Sequence, residues 1–231
     1  MSEHLNHLGQ PIGAPLPNWQ PCTRPLHALL DGVYCRLEPL DATTHAEQLW
    51  ASFAEDQENK LWTYLPYGPF DSQIHLSDWI YHHSKSQDPL FFAIIDKATG
   101  KASGVASYLR IQPEVGVVEV GHINYSPVLQ KTRAATEAMY LMMKHAFELG
   151  YRRYEWKCDN NNAGSKQAAQ RLGFGFDGLF KQATIYKNRN RDTAWFSVLD
   201  QNWPDVQARF EAWLSPENFN GHGHQIKKLN E

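Results

Sequence analysis

The chain has 231 residues, 42% of them hydrophobic, enough for one substantial α/β core and too little for two large domains. Lys and Arg total 22 against 25 Asp and Glu, a formal charge of -3 that excludes a broad basic nucleic-acid footprint and still allows a small phosphate-holding pocket. No leader-like basic and apolar run opens the sequence, and no segment reaches the roughly 18 apolar residues of a membrane span, so a cytoplasmic protein with no membrane contact is expected.

Residues 1–31 contain Pro11, Pro15, Pro17, Pro21 and Pro25, which remove backbone donors and disfavour helix. They read as an extended arm whose Ile12, Leu16, Trp19, Leu26 and Leu29 pack it on the body, a single domain over 32–216. The body opens with a strand at 33–38 and a helix to about 55, capped by Thr43 or Thr44. Segment 60–70 is an aromatic loop broken by Pro66 and Pro69, suited either to lining a substrate cleft or to core packing. A helix at 74–84 follows, then strands at 90–95 and 103–111 joined as a hairpin.

Residues 115–125 form the next strand and 126–132 a loop. The strongest helix runs over 133–149 and stops at Gly150. Ala135, Ala138, Met139, Met142, Ala146 and Leu149 give it an apolar face, and Glu137, Lys144 and Glu148 a polar stripe. A strand at 154–157, a helix at 163–172, a hairpin of 174–186 with 193–199, and a helix at 203–213 complete the body, leaving a polar tail at 217–231. The order implies an α/β fold with a mixed sheet. No GxGxxG follows an early strand, and there is no P-loop. Cys22, Cys35 and Cys158 lack metal-ligand spacing, and neither the His82-His83 pair nor His222 and His224 in the tail has a carboxylate or Cys at such spacing, so no metal is expected.

Three blocks around the strong helix carry a family resemblance. They are Glu119-Val120-Gly121-His122-Ile123, then Gln130-Lys131-Thr132-Arg133-Ala134-Ala135-Thr136-Glu137-Ala138, and finally Asn162-Ala163-Gly164-Ser165 with Arg171-Leu172-Gly173-Phe174. The second block is in register with Q-G-x-G-x-A-T-E-A, and the third resembles N-x-x-S with a later K-L-G-F. In this order and spacing they resemble the GCN5-related N-acetyltransferase (GNAT) superfamily, on its branch of ribosomal-protein N-terminal serine/alanine acetyltransferases. The resemblance implies an acyl-CoA N-acyltransferase fold: a mixed central sheet with a splayed parallel strand pair and helices on both faces. It also implies acetyl-CoA as donor, and as acceptor an amine-bearing small molecule or a peptide N-terminus. A homodimer stays open.

A helix start offers unpaired N–H groups and a positive dipole end, so Gln130, Lys131, Thr132, Arg133, Ala134 and Ala135 are the candidate cradle for the CoA diphosphate. Lys131 and Arg133 stand where many relatives have Gly, so the loop must avoid positive φ there or bear its strain, and the two cations can themselves assist phosphate binding. Ile123, Tyr125 and Val128 are placed to offer strand-like backbone partners to the pantetheine arm, with Asn162 across the gap as a ligand or a helix cap.

Glu119 is the leading general base, a carboxylate in an apolar run whose pKa desolvation would raise; a structural ion pair or an ammonium anchor explains the same placement. His122 competes, but strict alternation puts it on the opposite face unless a bulge intervenes. The family's Tyr acid falls at Ala169, which has no proton to give, so Ser165 is the candidate partner of the leaving sulfur, or else a residue satisfying nearby backbone, with Tyr125, Tyr64, Tyr67 and Tyr186 as unranked alternatives. Ala169 and the missing glycines also fit a non-catalytic acyl-CoA-binding regulator, and the arm and early aromatics a protein-interaction module.

Overall fold

Alternation of short apolar runs with amphipathic segments yields, in a computed structural model that describes residues 4–230, five α-helices and two sheets among the described residues. In chain order the elements are β1 His4–Leu5, β2 Pro11–Ile12, β3 Leu30–Asp31, β4 Cys35–Pro39, α1 Ala42–Phe53, α2 Gln73–His83, β5 Leu90–Asp96 and β6 Lys101–Gln112. Then come β7 Val117–Tyr125, α3 Arg133–Glu148, β8 Arg153–Asp159, α4 Ala163–Arg171, β9 Gly175–Tyr186, β10 Arg189–Leu199 and α5 Trp203–Leu214. β1 and β2 make a small hairpin of their own, and the rest form one eight-stranded sheet ordered β3-β4-β5-β6-β7-β8-β10-β9.

All neighbours in that sheet are antiparallel except β7 and β8, the expected parallel pair. Their pairing lasts only from Val117 opposite Arg153 to Val120 opposite Trp156. Both strands then run on, β7 to Tyr125 and β8 to Asp159, with no partner between them. The splay opens at that point.

The two faces are buried by different helices. α3 and α5 cover one, over Phe92, Tyr108, Val118, Tyr154 and Phe196, and the Tyr108 hydroxyl donates to the Met142 carbonyl at 2.6 Å. α1 and α2 cover the other, where Leu49 and Ile80 pack on Phe91 and Ile95. Each fully buried side chain of this size contributes roughly 1.5–3 kcal/mol.

Local chemistry sets the helix ends. α1 is capped by Asp41, whose Oδ1 accepts from Thr44 N at 2.8 Å, so the cap lies two or three residues ahead of the threonines named from sequence. α3 is capped by Thr132, whose hydroxyl accepts from Ala135 N at 3.1 Å, and it stops at Gly150, φ +94. Glu137, read from sequence as part of a polar stripe, is buried instead. Its two oxygens accept from the backbone N–H groups of Val33, Tyr34 and Cys35 at 2.8, 2.6 and 2.7 Å, fastening the start of β4 to α3.

The ends of the chain differ from their sequence reading. Ile12, Leu16, Leu26 and Leu29 are exposed, and the arm touches the body instead through Trp19, whose indole donates to the Glu114 carbonyl at 2.8 Å, and through Cys22, Thr23, Arg24 and His27. Residues 216–230 fold back. Asn218 is buried and bonded to the backbone of Trp213 and Lys227, and Leu229 enters the core.

Candidate active site

The gap between β7 and β8 opens into a cavity of about 1270 Å³ running from the start of α3 to the aromatic loop at 60–66. That is above the roughly 300–1,000 Å³ of a pocket for one small molecule, so two reactants can meet in it.

At the α3 end, Gln130, Lys131, Thr132, Arg133 and Ala135 line the cavity, together with Asn162 and Ser165 from the start of α4. The backbone N–H groups of Lys131, Arg133 and Ala134 have no acceptor among the described residues, a donor cluster at the positive end of a 16-residue helix. The loop bears its strain at Lys131, φ +61, and Arg133 escapes it by starting the helix. The Arg133 guanidinium lies 4.3 Å from the Phe219 ring and 4.9 Å from the Tyr34 ring, so aromatic faces as well as the cavity share its charge. Val128 is exposed and Ala134 buries its methyl, so neither side chain faces the cavity.

Sequence reasoning missed the rest of this wall. Arg171 lies 4.8 Å from the Trp213 ring and donates to Thr136 Oγ1 at 3.2 Å. Burial pulls its pKa down, and no carboxylate among the described residues is within ion-pair distance of it or of Arg133. Phe219, His224 and Gln225 of the returning C-terminal segment close this end. Their contribution depends on long-range folding, and a polar run of Gly, Asn and His gives no local signal of it.

Ile123 and Tyr125 lie along the open edge of β7. The Tyr125 hydroxyl is occupied, donating to the Ala135 carbonyl at 3.3 Å. Between them Asn124 is 2% exposed, and its Nδ2 is buried with no partner among the described residues. An orphaned amide donor at the edge of a strand gap suits a ligand rich in amides. Asn162 caps α4, its Oδ1 accepting from Ser165 N at 3.0 Å. The Ser165 hydroxyl accepts from the Trp156 indole at 3.0 Å and also faces the Cys158 thiol. Ala169 is fully buried in the core.

The other end holds the titratable groups. Glu119 is 6% exposed; Lys157 Nζ donates to its Oε2 at 2.8 Å, and Arg110 Nε stands 3.5 Å away. Burial raises the Glu119 pKa, the opposing pull of Lys157 being smaller. Glu155 shares the network with Lys157 and Arg153, at 3.2 and 2.8 Å, so the strongly paired carboxylate and the proton-hungry one are neighbours.

A bulge does intervene in β7. Ser107 pairs with Gly121 and Val105 with Asn124, one residue more on β7 than on β6, and His122 takes φ +51. His122 therefore lines the same cavity as Glu119, stacked on Tyr67 at 5.6 Å and tilted against Phe91 at 5.1 Å. Burial, with the charges of His83 and Arg191 behind it, pulls its pKa down to about 4, so it is neutral near pH 7. The aromatic loop divides its work: Trp62, Tyr67 and Phe70 pack with Trp79, and Leu61, Tyr64, Leu65 and Pro66 line the cavity.

A parallel pair that parts beside a helix start leaves a gap between free N–H groups and a buried carboxylate, an arrangement suited to a ligand carrying phosphate at one end and amides along its length. The chain belongs to the GNAT family of acetyltransferases: a model described as an acetyltransferase (GNAT) domain matches residues 35–175. A GCN5-related N-acetyltransferase from Brucella melitensis is 46% identical, with a TM-score of 0.91 over 93% of this chain and 98% of its own. A GNAT-family acetyltransferase from Chromobacterium violaceum is 40% identical, with a TM-score of 0.78 over 84% of this chain and 98% of its own. RimL, a ribosomal L7/L12 alpha-N-protein acetyltransferase solved with coenzyme A, shares the fold at 18% identity and a TM-score of 0.64 over 74% of this chain and 98% of its own. A comparison with curated proteins found no match. The protein is thus an acetyl-CoA-dependent acetyltransferase. No helix among the described residues is long and apolar enough to cross a membrane, and no group of three or more His, Cys, Asp or Glu among them is arranged to hold a metal.

Proposed function

We propose that the protein transfers acetyl from acetyl-CoA to a primary amine by direct attack in a ternary complex, with Glu119 as general base acting through water. The observation that carries this reading is a single cavity joining the free N–H groups of the α3 start to a buried carboxylate whose pKa is raised. Acetyl-CoA supplies an activated thioester. The N–H groups of Lys131, Arg133 and Ala134 hold the diphosphate, Arg171 adds charge, and the β7 edge with Asn124 takes the pantetheine amides.

The C–N bond forms as the C–S bond breaks. The amine proton passes through water to Glu119, and the departing sulfur takes a hydrogen bond from Ser165 and its proton from solvent. Lys157 fixes the carboxylate and steadies its ionised form. His122, neutral and weakly basic, offers a ring nitrogen to orient the amine without taking its proton.

Glu119→Gln keeps the shape and deletes the base, so turnover should fall about 10²-fold or more with acetyl-CoA affinity little changed. In the parent enzyme the rate should fall as pH drops through the Glu119 pKa, displaced upward from the ordinary carboxylate value, and the variant should lack that acidic limb. An unchanged rate and pH profile would remove Glu119 from the mechanism.

A further inference from the structure

At the acceptor end each charge except one has a partner among the described residues. Glu119 is held by Lys157; Asp159 accepts from the Tyr186 hydroxyl at 2.9 Å and from Asn161 N at 2.8 Å. The exception is Arg191 on β10, half-buried in the cavity wall. Its Nε donates to Thr193 Oγ1 at 3.2 Å and its guanidinium lies 5.7 Å from the Tyr186 ring, which fixes the plane of the group. Neither terminal amino group has a hydrogen-bond or ion-pair partner among the described residues. Its charge is felt by His122 on β7 and Cys158 on β8, the strands that flank the gap.

The same end is strapped on two sides. The Tyr64 hydroxyl donates to the Asn161 carbonyl at 3.2 Å, and Lys187 Nζ to the Trp62 carbonyl at 2.6 Å, tying the aromatic loop to the β8–α4 connection and to the β9–β10 turn.

We propose that the acceptor is a small amine bearing a carboxylate, such as a free amino acid, gripped through that carboxylate by the terminal amino groups of Arg191. A planar fork with two free N–H edges matches a carboxylate bidentately, and its charge offsets the anion in a partly dehydrated site. Glu119 lines the same cavity, so a water can link it to the amine held there. The inference rests on the transferase reading above and fails separately from it.

The test pairs amino acids with their amides, and adds polyamines, aminoglycosides and short peptides, with thiol release from acetyl-CoA as readout. The free acids should exceed their amides by about 30-fold or more in kcat/KM. Arg191→Gln should bring that ratio near one, chiefly by raising KM, with acetyl-CoA affinity unchanged, and Arg191→Lys should restore it only in part. Amides, polyamines or peptides acetylated as well as the acids would overturn the inference and leave the transferase reading intact. A second readout needs no turnover: amino acids should bind the CoA-loaded protein by calorimetry, and not its Arg191→Gln form. Absence of any such binding overturns the inference. Failure of the protein to bind acetyl-CoA overturns both readings.

Discussion

Lys131 carries a side chain through φ +61 at a position where the motif that the sequence resembles has glycine. The left-handed region costs a residue with a Cβ roughly 1–2 kcal/mol, and glycine returns about 0.5–1 kcal/mol of that through its freer unfolded chain. Lys131→Gly should therefore stabilise the protein by about 0.5–1 kcal/mol in urea unfolding. Because the proposed phosphate ligands are backbone N–H groups, acetyl-CoA affinity measured by calorimetry should stay within about threefold; a tenfold loss would assign the phosphate to the Lys131 ammonium. At this scale residue identity was readable, and orientation less so. The candidates Gln130, Lys131, Asn162 and Ser165 do line the cavity, but no local pattern announces that Arg133 is sandwiched by Phe219, or that a bulge turns His122 to the side of Glu119. Alternation presumes an unbroken ladder, and one extra residue reverses it.

Elements were more legible than their attachments. The 3.6-residue period of α3 and its Gly150 stop are local properties, and the helix runs almost as read. What the period could not tell was that Glu137, a charged residue in the second turn, points inward to collect three N–H groups from 33–35. A carboxylate in that position looks solvated until β4 is known to begin beside it. Glu137→Ala leaves three buried donors unmet and should lower stability by about 3 kcal/mol or more in denaturant titration, and Glu137→Gln, which keeps one carbonyl acceptor, by less. Equal stability of the parent and the alanine form would mean that water replaces the carboxylate. β10 inserts between β8 and β9, an order that hairpin signals in the sequence leave open, since they specify which strands pair and not on which side a third strand joins.

Across the whole molecule, donor and acceptor ends draw on segments far apart in sequence: the loop at 60–66, the start of α3, the β9–β10 hairpin and residues 219–225. Three motif blocks could indicate the family because they lie within 119–176, and the acceptor end stayed dark because its parts meet only after folding. Acetyl-CoA should slow hydrogen exchange at Lys131, Arg133 and Ala134 and along the open edge of β7, and protection confined to other regions would displace the donor from the gap. The early divergence of β7 from β8 has a thermodynamic side as well. A ligand lying along the unpaired edges of β7 and β8, as proposed for acetyl-CoA, would supply the missing pairing, and fold and occupancy would then share a single free energy. At a hundred times its dissociation constant such a ligand adds about 2.7 kcal/mol to the native state, and the unfolding midpoint becomes a gauge of how much acetyl-CoA surrounds the protein.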